Sequence, residues 1–222
     1  MSYYFSDSKS KRKQDRLFEA HRILIFCEGK RTEPEYFDGF IKDINKNAIY
    51  KDKIIIKTYG LGKNTVGVVK YAKEYVAKHK LSDASVWCVF DKDSFKSSDF
   101  DNAIKMCECY HYNCAWSNQC IEYWFILHFE RYTSDNDRKN YIDFLNKRYK
   151  LIVNEKYQKN NSENYNILKT HGYPKKAIKF AKSILALNKG KTPSNSHPST
   201  TVYLLVEELA KYLGDDIKSR YL

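Results

Sequence analysis

The sequence predicts an α/β fold built on a four-stranded parallel sheet with helices on its faces, and three observations carry that expectation. Val86-Trp87-Cys88-Val89-Phe90 is an unbroken apolar run rich in β-branched and aromatic residues, the pattern of a strand buried on both sides. Comparable runs stand at Ile23-Leu24-Ile25-Phe26-Cys27 and Ile54-Ile55-Ile56, with a shorter one at Asn113-Cys114-Ala115-Trp116. The segments between them place apolar residues at helical spacing, so strand and helix alternate as βαβ units, which implies parallel pairing and right-handed crossovers.

Residues 1–20 carry Lys9, Lys11, Arg12, Lys13 and Arg16 with little apolar content before Leu17, and predict a flexible basic arm or simply a frayed end. The first strand closes on Glu28-Gly29. Thr32-Glu33-Pro34-Glu35 then predicts a helix capped by Thr32, with Glu35 completing a capping box, Pro34 in the tolerated first turn, and Phe37, Phe40, Ile41 and Ile44 as its apolar stripe. After the strand at Ile54–Tyr59 comes Gly60-Leu61-Gly62-Lys63-Asn64-Thr65. It fails as a phosphate-binding P-loop, because Lys57 stands where the first glycine belongs and Asn64 replaces the hydroxyl residue after the lysine. Val69, Ala72 and Val76 mark a helix over 66–79, and Ser98 is placed to cap another bearing Phe100, Ala103, Ile104 and Cys107. Residues 121–129 are apolar nearly all round and predict a buried helix interrupted by Glu122.

The α/β core thus spans 21–132. Residues 133–222 predict a helical C-terminal extension packed on it: a helix from Arg138 to Lys150, a polar surface loop over 154–166, a helix opened by Pro174, a second polar loop over 189–200, and a last helix bearing Val202, Leu205, Val206 and Leu209. At 222 residues the chain is one domain, or one domain with an appendage. The balance of 39 basic against 27 acidic residues gives +12 and favours a polyanionic partner, nucleic acid or an acidic protein. No apolar run approaches the length of a membrane span, and the polar N-terminus is unlike a secretory signal, so a cytoplasmic protein is expected. In that compartment the six cysteines are not expected to pair; Cys107, Cys109, Cys114 and Cys120 lack the paired spacings of a zinc module.

Acids close the predicted strands. Asp91 and Asp93 follow the third, two residues apart and so expected on the same side of an extended chain, and Glu28 follows the first; open α/β sheets bind ligands at these carboxyl ends. Carboxylates gathered there repel one another, and a hard divalent cation relieves the repulsion, although Asp-x-Asp also occurs where a strand simply enters a turn. Glu122, at the start of a buried helix, calls either for a nearby cation or metal or for a cap or core hydrogen bond. Lys30 and Arg31 are candidates to meet a substrate phosphate, or are solvated loop charges. His128 is a donor behind the acids or a core histidine.

Four stretches also resemble, in order, the successive motifs of the RloB family. They are Cys27-Glu28-Gly29-Lys30-Arg31-Thr32-Glu33-Pro34-Glu35-Tyr36-Phe37, then Val89-Phe90-Asp91-Lys92-Asp93, then 115–124 with Leu127-His128-Phe129, and finally His197-Pro198-Ser199-Thr200-Thr201-Val202. The resemblance implies a Toprim-like fold, similar to that of primases, topoisomerases and OLD-type nucleases. There a glutamate after the first strand and an Asp-x-Asp after the third form a Mg²⁺-dependent site, matched here by Glu28 and by Asp91 and Asp93. It further implies restriction-modification loci, abortive infection and an ABC- or AAA-type ATPase partner; the lack of a nucleotide-binding loop in this chain fits an ATPase supplied in trans. The expectation is a Mg²⁺- or Mn²⁺-dependent nuclease acting on DNA or RNA, tRNA included, in anti-phage defence. Asp91 and Asp93 would hold metal, Glu28 would be a further ligand or general acid/base, and Glu122 would support a second metal position. The alternative is a non-catalytic nucleic-acid-binding or sensor subunit of an ATPase complex, and a regulatory mononucleotide site is a third reading. Oligomeric state is left open.

Overall fold

The computed structural model describes residues 20–222, so the predicted basic arm lies outside the described residues but for Ala20. The expected alternation is present: β1 (His21–Cys27), α1 (Thr32–Asn45), β2 (Ile54–Gly60), α2 (Thr65–His79), β3 (Ser85–Asp91), α3 (Ser97–Cys109), β4 (Asn113–Asn118) and α4 (Glu122–Leu127). There follow α5 (Arg138–Val153), α6 (Asn164–His171), α7 (Pro174–Leu187), a 3₁₀ turn at Pro193–Asn195, β5 (Ser199–Thr200), α8 (Val202–Ala210) and α9 (Asp215–Lys218).

The protein is a mixed α/β structure whose sheet has five strands in the order β2-β1-β3-β4-β5. The four expected strands are parallel, with Cys27 level with Val89 and Asp91 level with Ser117. The fifth lies within the stretch that the sequence predicts as polar loop. It is two residues long and antiparallel, pairing Ser199 with Asn118 and Thr200 with Ser117, and its hydroxyls are buried in hydrogen bonds: Ser117 Oγ lies 3.0 Å from Thr200 Oγ1. So short and hydroxyl-rich an edge has no apolar signature to read.

Alternation along the strands sends side chains to two faces. Ile23, Ile25, Trp87, Val89 and Ala115 point to a core shared with α1, α4 to α8 and Tyr221, while Leu24, Phe26, Val86, Cys88, Phe90 and Trp116 meet α2 and α3. Because both faces are covered, the strands read as continuous apolar runs rather than as alternating ones. The chain leaves β1 over the first face to reach β2 and leaves β3 over the second to reach β4, so the crevice between the carboxyl ends of β1 and β3 is the topological switch point.

Three local expectations are corrected. Thr32 is the first helical residue rather than the cap; Glu35 turns to Arg31 at 2.7 Å, and it is Glu33 that reaches back, accepting the Gly29 N–H at 3.3 Å. Helix α3 begins at Ser97 without a side-chain cap, and Ser98 lies inside it. The polar stretch read as loop over 154–166 runs into α6, which the sequence conceals because few of its residues are apolar. Tyr165 anchors that helix by donating to Asp43 Oδ2 at 3.0 Å, with its ring over Gly39, where a Cβ would lie 2.3 Å from Tyr165 Cγ. All six cysteines are free thiols, and among the described residues no helix is long and apolar enough to cross a membrane.

Candidate functional site

The switch-point crevice opens into a cleft of about 410 Å³ lined by Glu28, Gly29, Thr32, Glu33, Gly62, Lys63, Asn64, Asp91, Asp93, Phe95, Ile121, Glu122, Arg138 and Lys159. All four acids singled out by sequence stand in it. Glu28 leaves the end of β1 and accepts the Asp91 N–H at 3.3 Å. Asp91, the last residue of β3, is 7 % exposed and accepts the Ile121 N–H at 3.2 Å. Asp93 lies beyond the strand at a φ of +39°, so the turn, rather than strand alternation, brings it beside Asp91. Glu122 opens α4 and is 1 % exposed; it accepts the Tyr157 O–H at 3.3 Å and pairs with Lys159 at 3.4 Å. Both expectations for Glu122 therefore hold together, a hydrogen bond and a cation.

The structure adds residues that the sequence did not reveal. Glu33 is a fifth carboxylate in the cleft, buried by the turn in which it binds Gly29. Arg138 begins α5 and reaches back to the strand ends, with Nη1 2.7 Å from Asp93 Oδ2 and Nη2 3.6 Å from Asp91 Oδ2. Lys159 and Tyr157 come from the stretch read as surface loop, and Lys63 from the loop set aside as a P-loop, whose Asn64 caps α2 by accepting the Gly67 N–H at 2.8 Å. Composition gives no sign of the contacts of Arg138 and Lys159, which depend on how the chain after residue 132 folds back. Glu33 had one sign, an acid amid residues otherwise needed for the core.

Lys30 and Arg31 do not line this cleft. Arg31 is exposed and paired with Glu35, and the Lys30 side chain lies along Gly62, a position with φ of +61° where a Cβ would come 2.4 Å from Lys30 Cε. His128 is buried, with Nδ1 3.0 Å from the Trp124 carbonyl and its ring edge-on to Trp124, and burial lowers its pKa to about 4: a core histidine.

Five carboxylates against three cations make the cleft acidic on a chain that is basic as a whole. Burial, then repulsion from Glu33, Glu122 and Glu28, holds the Asp91 carboxyl well above the usual range, against the pull of Arg138. Burial likewise pushes Glu28 up to about 8, opposed by the Asp91 N–H and reinforced by Glu33 and Asp93. Glu33 is raised by burial and by Glu122. A set of five hard oxygen donors whose repulsion Arg138 and Lys159 offset only in part fits a divalent cation such as Mg²⁺ or Mn²⁺ in chemistry and charge. Among the described residues no three such groups converge on one point as they stand, and a guanidinium rests on the central pair.

Comparison with curated proteins and with solved structures gives no match. The family model described as RloB-like protein matches residues 23–209, a span that takes in the sheet but for the first two residues of β1 and all the acids of the cleft, and the chain belongs to the RloB-like family.

Proposed function

We propose that the protein is a metal-dependent phosphodiesterase that cleaves nucleic acid, with a Toprim-like core, serving anti-phage defence in the cytoplasm beside an ATPase partner. One observation carries the reading: the acids after β1 and β3 and at the start of α4 share one cleft with Lys63, Arg138 and Lys159. Acids that gather a divalent ion, facing cations that gather phosphate, make up the two halves of a phosphoryl-transfer site.

Asp91 and Asp93 would hold Mg²⁺ or Mn²⁺, with Glu28 as a further ligand or as the group that moves the proton, and with Glu122 beside a second position. Bound there, the ion supplies charge stabilisation to the phosphate oxygens and a more acidic water. Lys63 and Lys159 bind and orient the phosphate backbone. Tyr157 and Lys159 hold the Glu122 carboxylate in place.

The test is cleavage of plasmid DNA and of total tRNA by the purified chain with Mg²⁺ or Mn²⁺, beside Asp91→Ala/Asp93→Ala. The double variant is expected to lose at least about a hundred-fold in rate; undiminished cleavage by it would sink the assignment. A second reading, a nucleic-acid-binding or sensor subunit of an ATPase complex, draws on Arg138, which already pairs with both aspartates without metal. Binding unaffected by EDTA, with neither substrate cut, favours that reading.

A further inference from the structure

The Arg138 guanidinium spans Asp91 and Asp93 and does in part what a divalent cation would do, offsetting the repulsion between two carboxylates held at one strand end. Among the described residues it is the one cation in ion-pair contact with either of them. Its seat is incomplete. Nη2 stands at 3.6 Å from Asp91, and Nε is buried without a partner. The side chain stays 31 % exposed at the edge of the cleft and has open space to move into.

We propose that Arg138 is the built-in counter-ion of the cleft, holding Asp91 and Asp93 together until a divalent cation displaces it, so that this residue sets the metal affinity of the site. The inference rests on the metal-dependent reading above. Arginine keeps its proton at any pH a protein survives, so it cannot make way by becoming neutral. Both Arg138 contacts fall on Oδ2 atoms, and a divalent ion drawn to the same two oxygens repels the guanidinium and competes with it for them. Metal binding therefore carries the cost of breaking the Arg138 contacts, and a protein without metal keeps a cleft that neither collapses nor springs apart. The residue comes from α5, outside the four parallel strands, so the helical half of the chain tunes a pair of aspartates that stand at the end of β3.

The experiment is calorimetric titration of Mn²⁺ into the metal-free full-length protein, for wild type, Arg138→Gln, Arg138→Lys and Asp91→Ala/Asp93→Ala, with melting of each in EDTA and in saturating Mn²⁺. Arg138→Gln is expected to bind Mn²⁺ at least about ten-fold more tightly than wild type. It should melt lower than wild type in EDTA and recover in Mn²⁺. Arg138→Lys keeps the charge without the fork and is expected to bind with an affinity between the two, which answers the question even if the glutamine variant folds poorly. Equal or weaker Mn²⁺ binding by both arginine variants, with wild type binding and the aspartate variant not, overturns the counter-ion role and leaves the metal site standing. Binding by none of the four proteins, or by the aspartate variant as well as wild type, overturns the metal reading together with this one.

Discussion

His128 shows how a polar residue can be settled by packing rather than by chemistry. It stands six residues from Glu122, but its ring turns into the core, with one nitrogen on the Trp124 carbonyl. With the folded pKa near 4 and the unfolded value near 6.5, the unfolded chain takes up the proton first. The stability it contributes is whole above pH 6.5 and drains away as pH falls towards 4, by on the order of 3 kcal/mol. Melting curves across that window are expected to diverge between wild type and His128→Gln, the variant showing the shallower loss; parallel curves would contradict the burial account. Glu33 makes a related point. Its carboxylate is buried among others of its sign, so Glu33→Gln, which keeps an acceptor for the Gly29 N–H, is expected to raise stability at pH 8 by about 1 kcal/mol. Urea unfolding of metal-free protein measures that directly.

At the scale of elements, α6 meets α1 through one especially close approach. Gly39 leaves room for the Tyr165 ring, and a methyl group there would meet the fixed inner atoms of that side chain rather than a movable end. Gly39→Ala is expected to cost about 1–3 kcal/mol by overpacking, read from the same unfolding experiment, with Tyr165→Ala in the Gly39→Ala background relieving the clash. The elements also show what a sequence can tell. Strands β1 and β3 were legible because they are covered on both faces, leaving an apolar run that needs no partner to be recognised, whereas β2, at the sheet edge with Ile55 exposed, was legible from its three isoleucines alone. Glu28, Asp91, Asp93 and Glu122 were legible because each breaks or ends such a run. Strand β5 and helix α6 were not, since hydroxyl hydrogen bonds hold one and a tyrosine and a leucine dock the other. Lys30 and Arg31 are near Glu28 in sequence, but the turn after β1 lays one along Gly62 and pairs the other with Glu35, whereas Arg138 and Lys159 reach the cleft through contacts that no local pattern encodes.

For the molecule as a whole, the core on the α1 face belongs to both halves of the chain. Phe40 from α1 packs against Tyr165 at 4.6 Å and Tyr221 at 5.2 Å, and Trp124 donates its N–H to Tyr36 at 2.9 Å within the same cluster. Residues 20–132 expressed alone would expose that face to water, and are expected to show no cooperative thermal transition by circular dichroism. The cleft spans a comparable distance in sequence: its first carboxylate is residue 28 and its last cation residue 159. Synthesis proceeds from the N-terminus, so a chain still on the ribosome has its acids in the open before Arg138 and Lys159 have emerged to answer them. The cleft cannot have all its parts until Lys159 has emerged, so a half-made copy carries carboxylates whose partnering cations are still missing.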